Sequence, residues 1–157
     1  VLRDFRADDL AAALALNQAH ALETSALDED GLQALLGIAC HARIAGAMDG
    51  FLIAIDHRAV HDGTNFQWFR SRFDQFVYVD RVIVAARARG RGVAQALYLD
   101  LFEAARQAGR QRICAEVNEI PPNEASQGFH EKMRFRRVGS AMLAGRGKTV
   151  RYLVHEL

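Results

Sequence analysis

The run Arg87-Ala88-Arg89-Gly90-Arg91-Gly92-Val93-Ala94 has the residue types and spacing to hold phosphate oxygens. Its glycines let the main chain come close to an anion, and the first N–H groups of a helix have no acceptor within that helix. Three arginines and the positive end of a helix dipole add charge of the right sign. Such a loop needs a strand to deliver it and a helix that starts at once. Residues 76–84, a run of strand formers, supply the first, and an amphipathic helical pattern from Val93 supplies the second.

The 157 residues fit one domain, spanning 1–157, with enough chain to bury a core. A formal charge of +1 gives no general affinity for nucleic acid. Positive charge is local, at the three arginines of the loop and again at Lys132, Arg134, Arg136 and Arg137. An RNA-binding patch would interleave aromatic residues with its charges, and residues 86–95 contain none. Cys40 and Cys114 are far apart and have no metal-ligand spacing around them, which suits reduced thiols in the cytoplasm. His20, His41, His57, His61 and His155 form no ligand pattern either, so no metal site is expected. No apolar stretch reaches the length of a membrane span, and residues 1–30 lack a signal-peptide pattern, so no membrane association is expected and the cytoplasm is the expected location.

The surrounding elements read as a mixed α/β order. Residues 1–5 suit a short edge strand. Asp8 is a candidate N-cap for a helix with Leu10, Ala13, Leu14 and Ala21 on one side, and a second helix starts at Asp28. Residues 42–47 and 51–55 read as two strands joined by an Asp49-Gly50 hairpin turn. Residues 57–75 are polar at first and then crowded with Phe66, Trp68, Phe69 and Phe73; they either pack on the core as a short helix or form a lid over a cleft. Residues 76–85 suit a central strand covered on both faces. A helix follows with Gly109 as its stop, then a strand over 112–117 and a helix opened by Pro121-Pro122 that runs to about Met133. Residues 136–143 and 148–156 form a terminal antiparallel pair turned at Gly145-Arg146-Gly147. The fold class is α/β (α+β), with a largely antiparallel sheet flanked by about four helices.

The loop and its context resemble the GNAT superfamily of acetyl-CoA-dependent N-acetyltransferases. The family loop, Gln/Arg-x-x-Gly-x-Gly/Ala, is matched at every fixed position by Arg87, Gly90 and Gly92. A second family pattern, Asn-x-x-Ala/Ser-x-x-Phe-Tyr-Glu-Lys-x-Gly-Phe, is similar to the stretch from Asn123 through Ser126, Phe129, His130, Glu131 and Lys132 to Phe135. The resemblance covers nearly the whole chain. It implies a central strand that bulges and splays from its neighbour, with acetyl-CoA as co-substrate in the opening. The main chain of Val82, Ile83 and Val84 would pair with the pantetheine arm as an added strand does. Arg87, Arg89, Gly90, Arg91, Gly92, Val93 and Ala94 would surround the pyrophosphate, and Asn123, Ser126 and His130 would touch the cofactor.

Where many relatives carry a tyrosine that protonates the departing thiolate, this chain has His130, and where they carry glycine it has Arg134. Imidazolium is a good acid near neutral pH, and a position late in a helix favours the charged form. His130 is therefore a candidate acid, with a packing role as its alternative. Asp80 on the central strand and Glu116 on the next are candidate bases or amine-binding carboxylates; the alternative for each is a salt bridge, for instance with Arg81 or Arg112. Tyr78 faces the same region by strand parity. The main-chain N–H of Val84 is a candidate donor to the acetyl oxygen. The expected function is acetyl transfer to a primary amine, of a small molecule, by direct attack in a ternary complex. A protein acetyltransferase, a silent acyl-CoA-binding or sensor module and a nucleic-acid-binding domain are the alternatives. Many relatives are dimers, and the strand from Lys148 offers an edge for a homodimer.

Overall fold

The apolar runs resolve into one sheet of seven strands in a computed structural model that describes residues 1–22, 24–145 and 147–157. The strands are β1 (Leu2–Asp4), β2 (His41–Ala45), β3 (Gly50–Asp56), β4 (Val77–Val84), β5 (Arg112–Ile120), β6 (Arg136–Leu143) and β7 (Lys148–Glu156). Among the described residues there are five α-helices: α1 (Leu10–Ala19), α2 (Glu29–Ile38), α3 (Thr64–Arg70), α4 (Val93–Gln107) and α5 (Glu124–Lys132). The spatial order is β1-β2-β3-β4-β5-β7-β6, and every neighbouring pair is antiparallel except β4 with β5. No helix among the described residues is long and apolar enough to cross a membrane.

Alternation of side chains across the strands divides the core into two layers. Phe51, Ile53, Tyr78, Cys114, Tyr152 and Val154 pack beneath α1, α2 and α3, while Leu52, Ala54, Val79, Ala115, Val117 and Leu153 pack against α4. Residues 57–75 take the core-packing form of the two expected. Their helix, α3, buries Phe66 and Phe69 completely, at i and i+3 on one face. Each contributes about 2 kcal/mol by leaving water. Trp68 lies flat on Tyr152, 4.1 Å between ring centres and 18° between planes. No side chain at Gly139 stands in its way, since a Cβ there would overlap the indole.

Three local expectations are corrected. The β2–β3 connection is not a two-residue Asp49-Gly50 turn: residues 46–49 form it, with the Asp49 N–H bonded to the Ala45 carbonyl at 2.8 Å, and Gly50 begins β3. Met48 takes φ +75°, where the hairpin signal placed no such demand. Pro121 and Pro122 lie in a turn, and α5 is capped by Asn123, whose Oδ1 accepts from the Ser126 N–H at 3.2 Å. β7 from Lys148 is interior, paired to β5 on one side and β6 on the other, so the sheet edge at this end is β6. Arg146 of the expected final turn lies outside the described residues.

Gly50 matters because β3, β4 and the start of α4 converge there. A Cβ on it would sit 2.7 Å from the Ile83 carbonyl oxygen and 3.1 Å from Val93 Cγ1. Overpacking of this kind costs about 1–3 kcal/mol. Gly50→Ala is therefore expected to lower Tm by about 3–10 °C in thermal denaturation, a loss that an unchanged melting curve would contradict.

Candidate active site

β4 and β5 run parallel and pair only at Val77 with Ile113 and at Tyr78 with Cys114. Beyond those two positions they separate. Just there β4 bulges: Ile53 of β3 faces Arg81 and Ala54 faces Val79, so Asp80 is the extra residue. A bulge bends its strand and increases the local twist, which turns the rest of β4 away from β5. The opening is a cavity of 540 Å³ lined by both strands and by Tyr98, Asn123, Ser126 and His130.

The main chain of β4 past the bulge is half satisfied. The Ala85 N–H donates to the Asp49 carbonyl at 2.8 Å, and Ile83 is opposite Phe51 in the same register. Antiparallel alternation therefore commits Ile83 to β3 and turns the N–H and C=O of Val82 and Val84 toward the opening. Of the three residues expected to present main chain there, the geometry leaves two.

The phosphate loop follows directly. Ala86–Ala88 makes a single 3-10 turn; Gly90 and Gly92 then take φ +76° and +74°, and Gly92 caps α4. A Cβ on Gly90 would touch nothing, so glycine is required there for its backbone angle and not for space. From Gly90 to Gln95 no main-chain N–H finds a main-chain acceptor among the described residues. That row of donors at the start of a helix fits a pyrophosphate. The arginines divide. Arg87 turns away from the loop, its guanidinium on Asp49 at 2.5 Å and on the Met48 carbonyl at 3.2 Å. Arg89 reaches His20 Nε2 at 3.0 Å, and Arg91 is exposed.

His130, 4% exposed, lies where α5 meets α4. Its Nδ1–H donates to the Ser126 carbonyl at 2.7 Å, which leaves Nε2 as acceptor for the Tyr98 hydroxyl at 2.8 Å. Burial lowers its pKa and outweighs the bond to Ser126. Desolvation thus favours the neutral imidazole, against the charged form that the helix end was expected to favour.

The two candidate carboxylates meet different fates. Asp80 is paired, with Arg81 Nε donating to it at 2.8 Å and His61 Nε2 3.6 Å away. Arg81 continues into Asn17 Oδ1 at 2.6 Å and the Ser25 carbonyl at 3.1 Å, pinning the α1–α2 connection to β4. Glu116 has no salt-bridge partner among the described residues. Tyr78 Oη donates to its Oε1 at 2.9 Å and Asn65 Nδ2 to the same atom at 3.1 Å, while Oε2 is buried without a hydrogen-bond partner among the described residues. Burial pushes its pKa up to about 8, the two hydrogen bonds opposing and Asp80 adding to the rise. Glu116 is thus a carboxyl able to exchange a proton near neutral pH.

Two participants were not singled out in the sequence. Tyr98 belongs to the apolar face of α4 and gives no sign that its hydroxyl reaches His130. Asn65 precedes the buried Phe66 and looks like loop polarity. Arg81 reads as an ion partner of Asp80, which it is, but gives no sign of its reach to Asn17 and Ser25. Apart from that ion pair, each of these contacts is to a partner more than 30 positions away. Among the described residues no three His, Cys, Asp or Glu side chains gather as a metal site would require.

Known proteins share this fold. Phosphinothricin N-acetyltransferase from Streptomyces coelicolor is 40% identical over 65 residues, 41% of this chain and 37% of that protein, so the match spans little more than a third of the relative's length. The crystal structure of the NatC complex bound to Gag peptide and CoA superposes with a TM-score of 0.77 at 15% identity, covering 100% of this chain and 98% of that one. The ribosomal-protein-alanine N-acetyltransferase from Brucella melitensis gives 0.73 at 21% identity, covering 100% and 99%. The profile of the acetyltransferase (GNAT) family matches residues 44–135, from β2 through the phosphate loop to the end of α5. With more than half of its length under that profile, the chain belongs to the acetyltransferase (GNAT) family.

Proposed function

We propose that the chain transfers an acetyl group from acetyl-CoA to the primary amine of a small molecule, by direct attack with both substrates in the cleft between β4 and β5. The observation that carries this reading is Glu116: a buried carboxyl with one open oxygen, on the wall of the same cavity as the free main chain of β4. The donor half fits coenzyme A. N–H groups from Gly90 to Gln95 would hold the pyrophosphate, with Arg89 and Arg91 adding charge, and Val82 and Val84 would hold the pantetheine arm. Asn123 and Ser126 line the far wall. When bound there, acetyl-CoA supplies an activated thioester.

The residues divide the remaining work. Glu116 Oε2 takes the proton that the amine must lose. The Val84 N–H, unpaired on the open side of β4, would donate to the oxygen on which charge grows. The conjugate thiol of the leaving group has a pKa of about 8.5, so modest help suffices. We assign that help to a hydrogen bond from the Tyr98 hydroxyl, which His130 Nε2 holds at the cleft wall, the thiolate taking its proton afterwards from solvent. Asp80, neutralised by Arg81, positions the acceptor side and is not the base.

A small acceptor is supported by the closure of the cleft. The Leu22 carbonyl, in the α1–α2 connection, accepts from Lys148 Nζ at 2.7 Å and from Asn118 Nδ2 at 3.3 Å. Together with the Arg81–Ser25 bonds this covers part of the acceptor side, which favours a compact amine over an extended peptide. The phosphinothricin acetyltransferase similarity points the same way.

Thiol release measured over a panel of small amines and peptides tests the reading. Saturable release with a small amine supports it; release only with peptides, or no thermal stabilisation by acetyl-CoA or CoA, would sink it. With a small-amine acceptor, kcat/KM is expected to rise with pH toward about 8, because below that value Oε2 already carries a proton. Glu116→Gln should remove this limb and lower kcat by about 10²-fold or more. His130→Phe should lower kcat about tenfold with acetyl-CoA affinity unchanged. Lys148→Met, which leaves the Leu22 carbonyl with Asn118 as its remaining donor, should raise the acceptor KM and leave that for acetyl-CoA unchanged in steady-state kinetics.

A further inference from the structure

We propose that Asn65 is a positioning residue for Glu116: gripped by the Tyr152 hydroxyl, it fixes the carboxyl so that Oε2 is the oxygen that exchanges the proton. This rests on the reading of Glu116 as the base and says how the fold prepares it.

The donors and acceptors leave one consistent arrangement. An ionised carboxylate only accepts, so Asn65 must present its Nδ2 to Glu116, 3.1 Å from Oε1. Its Oδ1 then faces Tyr152, whose hydroxyl donates at 2.8 Å. Tyr78 brings a second donor to the same Oε1 at 2.9 Å. With two donors on Oε1, the proton of the neutral acid has its place on Oε2, the atom left without a partner among the described residues. Tyr152 is itself held: Trp68 of α3 stacks on its ring, and Phe69 meets it edge-on at 5.2 Å. Helix α3 thus supplies both the amide and the aromatic clamp on the residue that orients the amide.

Charged and titratable groups around Glu116 come from several elements: Tyr78, Asp80 and Arg81 on β4, Cys114 on β5, Tyr98 on α4, Tyr152 on β7, and Arg72 and His61 flanking α3. Asn65 and Tyr78 are the ones that donate to the carboxyl. Hydrogen bonds to the charged form favour it, so removing one raises the pKa of the acid.

Two variants separate this role from packing. Asn65→Ala removes the donor. Tyr152→Phe keeps the ring and its stack on Trp68 and removes only the grip on the amide. The carboxyl carbon of Glu116 is titrated by NMR in the ligand-free protein, assigned by its loss in Glu116→Gln, beside the pH profile of kcat/KM. Asn65→Ala is expected to move both midpoints up by about one pH unit, with kcat down about tenfold and acceptor KM little changed. Tyr152→Phe should move them in the same direction by less, and it decides the matter if Asn65→Ala does not fold. Midpoints that coincide with the parent in both variants, while Glu116→Gln still loses its limb, overturn the positioning role and leave the base standing. A limb that survives Glu116→Gln overturns the base itself.

Discussion

Main-chain polar groups inside a protein need partners, and past Tyr78 the strand β4 has them on one side only. That constraint organises the molecule. The Asp80 bulge turns β4 off β5, and the exposed N–H and C=O groups of Val82 and Val84 become a strand edge inside the protein instead of at its rim. Everything placed around the opening makes use of it. The phosphate loop continues β4 without a break, α5 and Tyr98 wall one side, and α3 with the α1–α2 connection walls the other. A Cβ at Gly50 would push on Ile83 and Val93 together, which shows how closely the paired side of β4 and the start of α4 are tied.

Two acidic side chains of this cleft have opposite electrostatic surroundings, and that difference underlies the roles proposed for them. The cost of burying a charge is met at Asp80 by Arg81 and left unmet at Glu116. A carboxyl compensated by guanidinium is a fixed charge suited to holding structure. One compensated only by neutral donors sits between its two protonation states and is suited to moving a proton. The same reasoning runs in reverse at His130, where apolar surroundings keep the ring neutral although the helix end favours charge.

Much of this was legible in the order of residues because it is local. The loop of Arg87 to Ala94 carries its own geometry in two glycines and a helix start, and the Asp28 cap, the Gly109 stop and the terminal strand pair are likewise short-range. Glu116 was a candidate by its place on the strand after the one that carries Asp80, and parity of β4 placed Tyr78. What failed was set by distant partners. Arg87 reads as a phosphate ligand until the β2–β3 turn offers Asp49. Asn65 reads as loop until Glu116, 51 positions away, accepts from it. The prolines before Asn123 have a valid place in a first helical turn, but the Asn123 side chain captures the Ser126 N–H and starts the helix after them.

The roof over the acceptor side is fastened at a carbonyl oxygen, that of Leu22, whose own side chain points largely into solvent. A latch that grips main chain is indifferent to which residue presents it. The Leu22 side chain is therefore free to be exchanged without loosening this latch, provided Asn118 and Lys148 stay. On the proposed reading, the wall that would meet the acceptor can change its chemical preference at Leu22 while the wall that would meet the donor, built on glycine angles and strand pairing, keeps a single form.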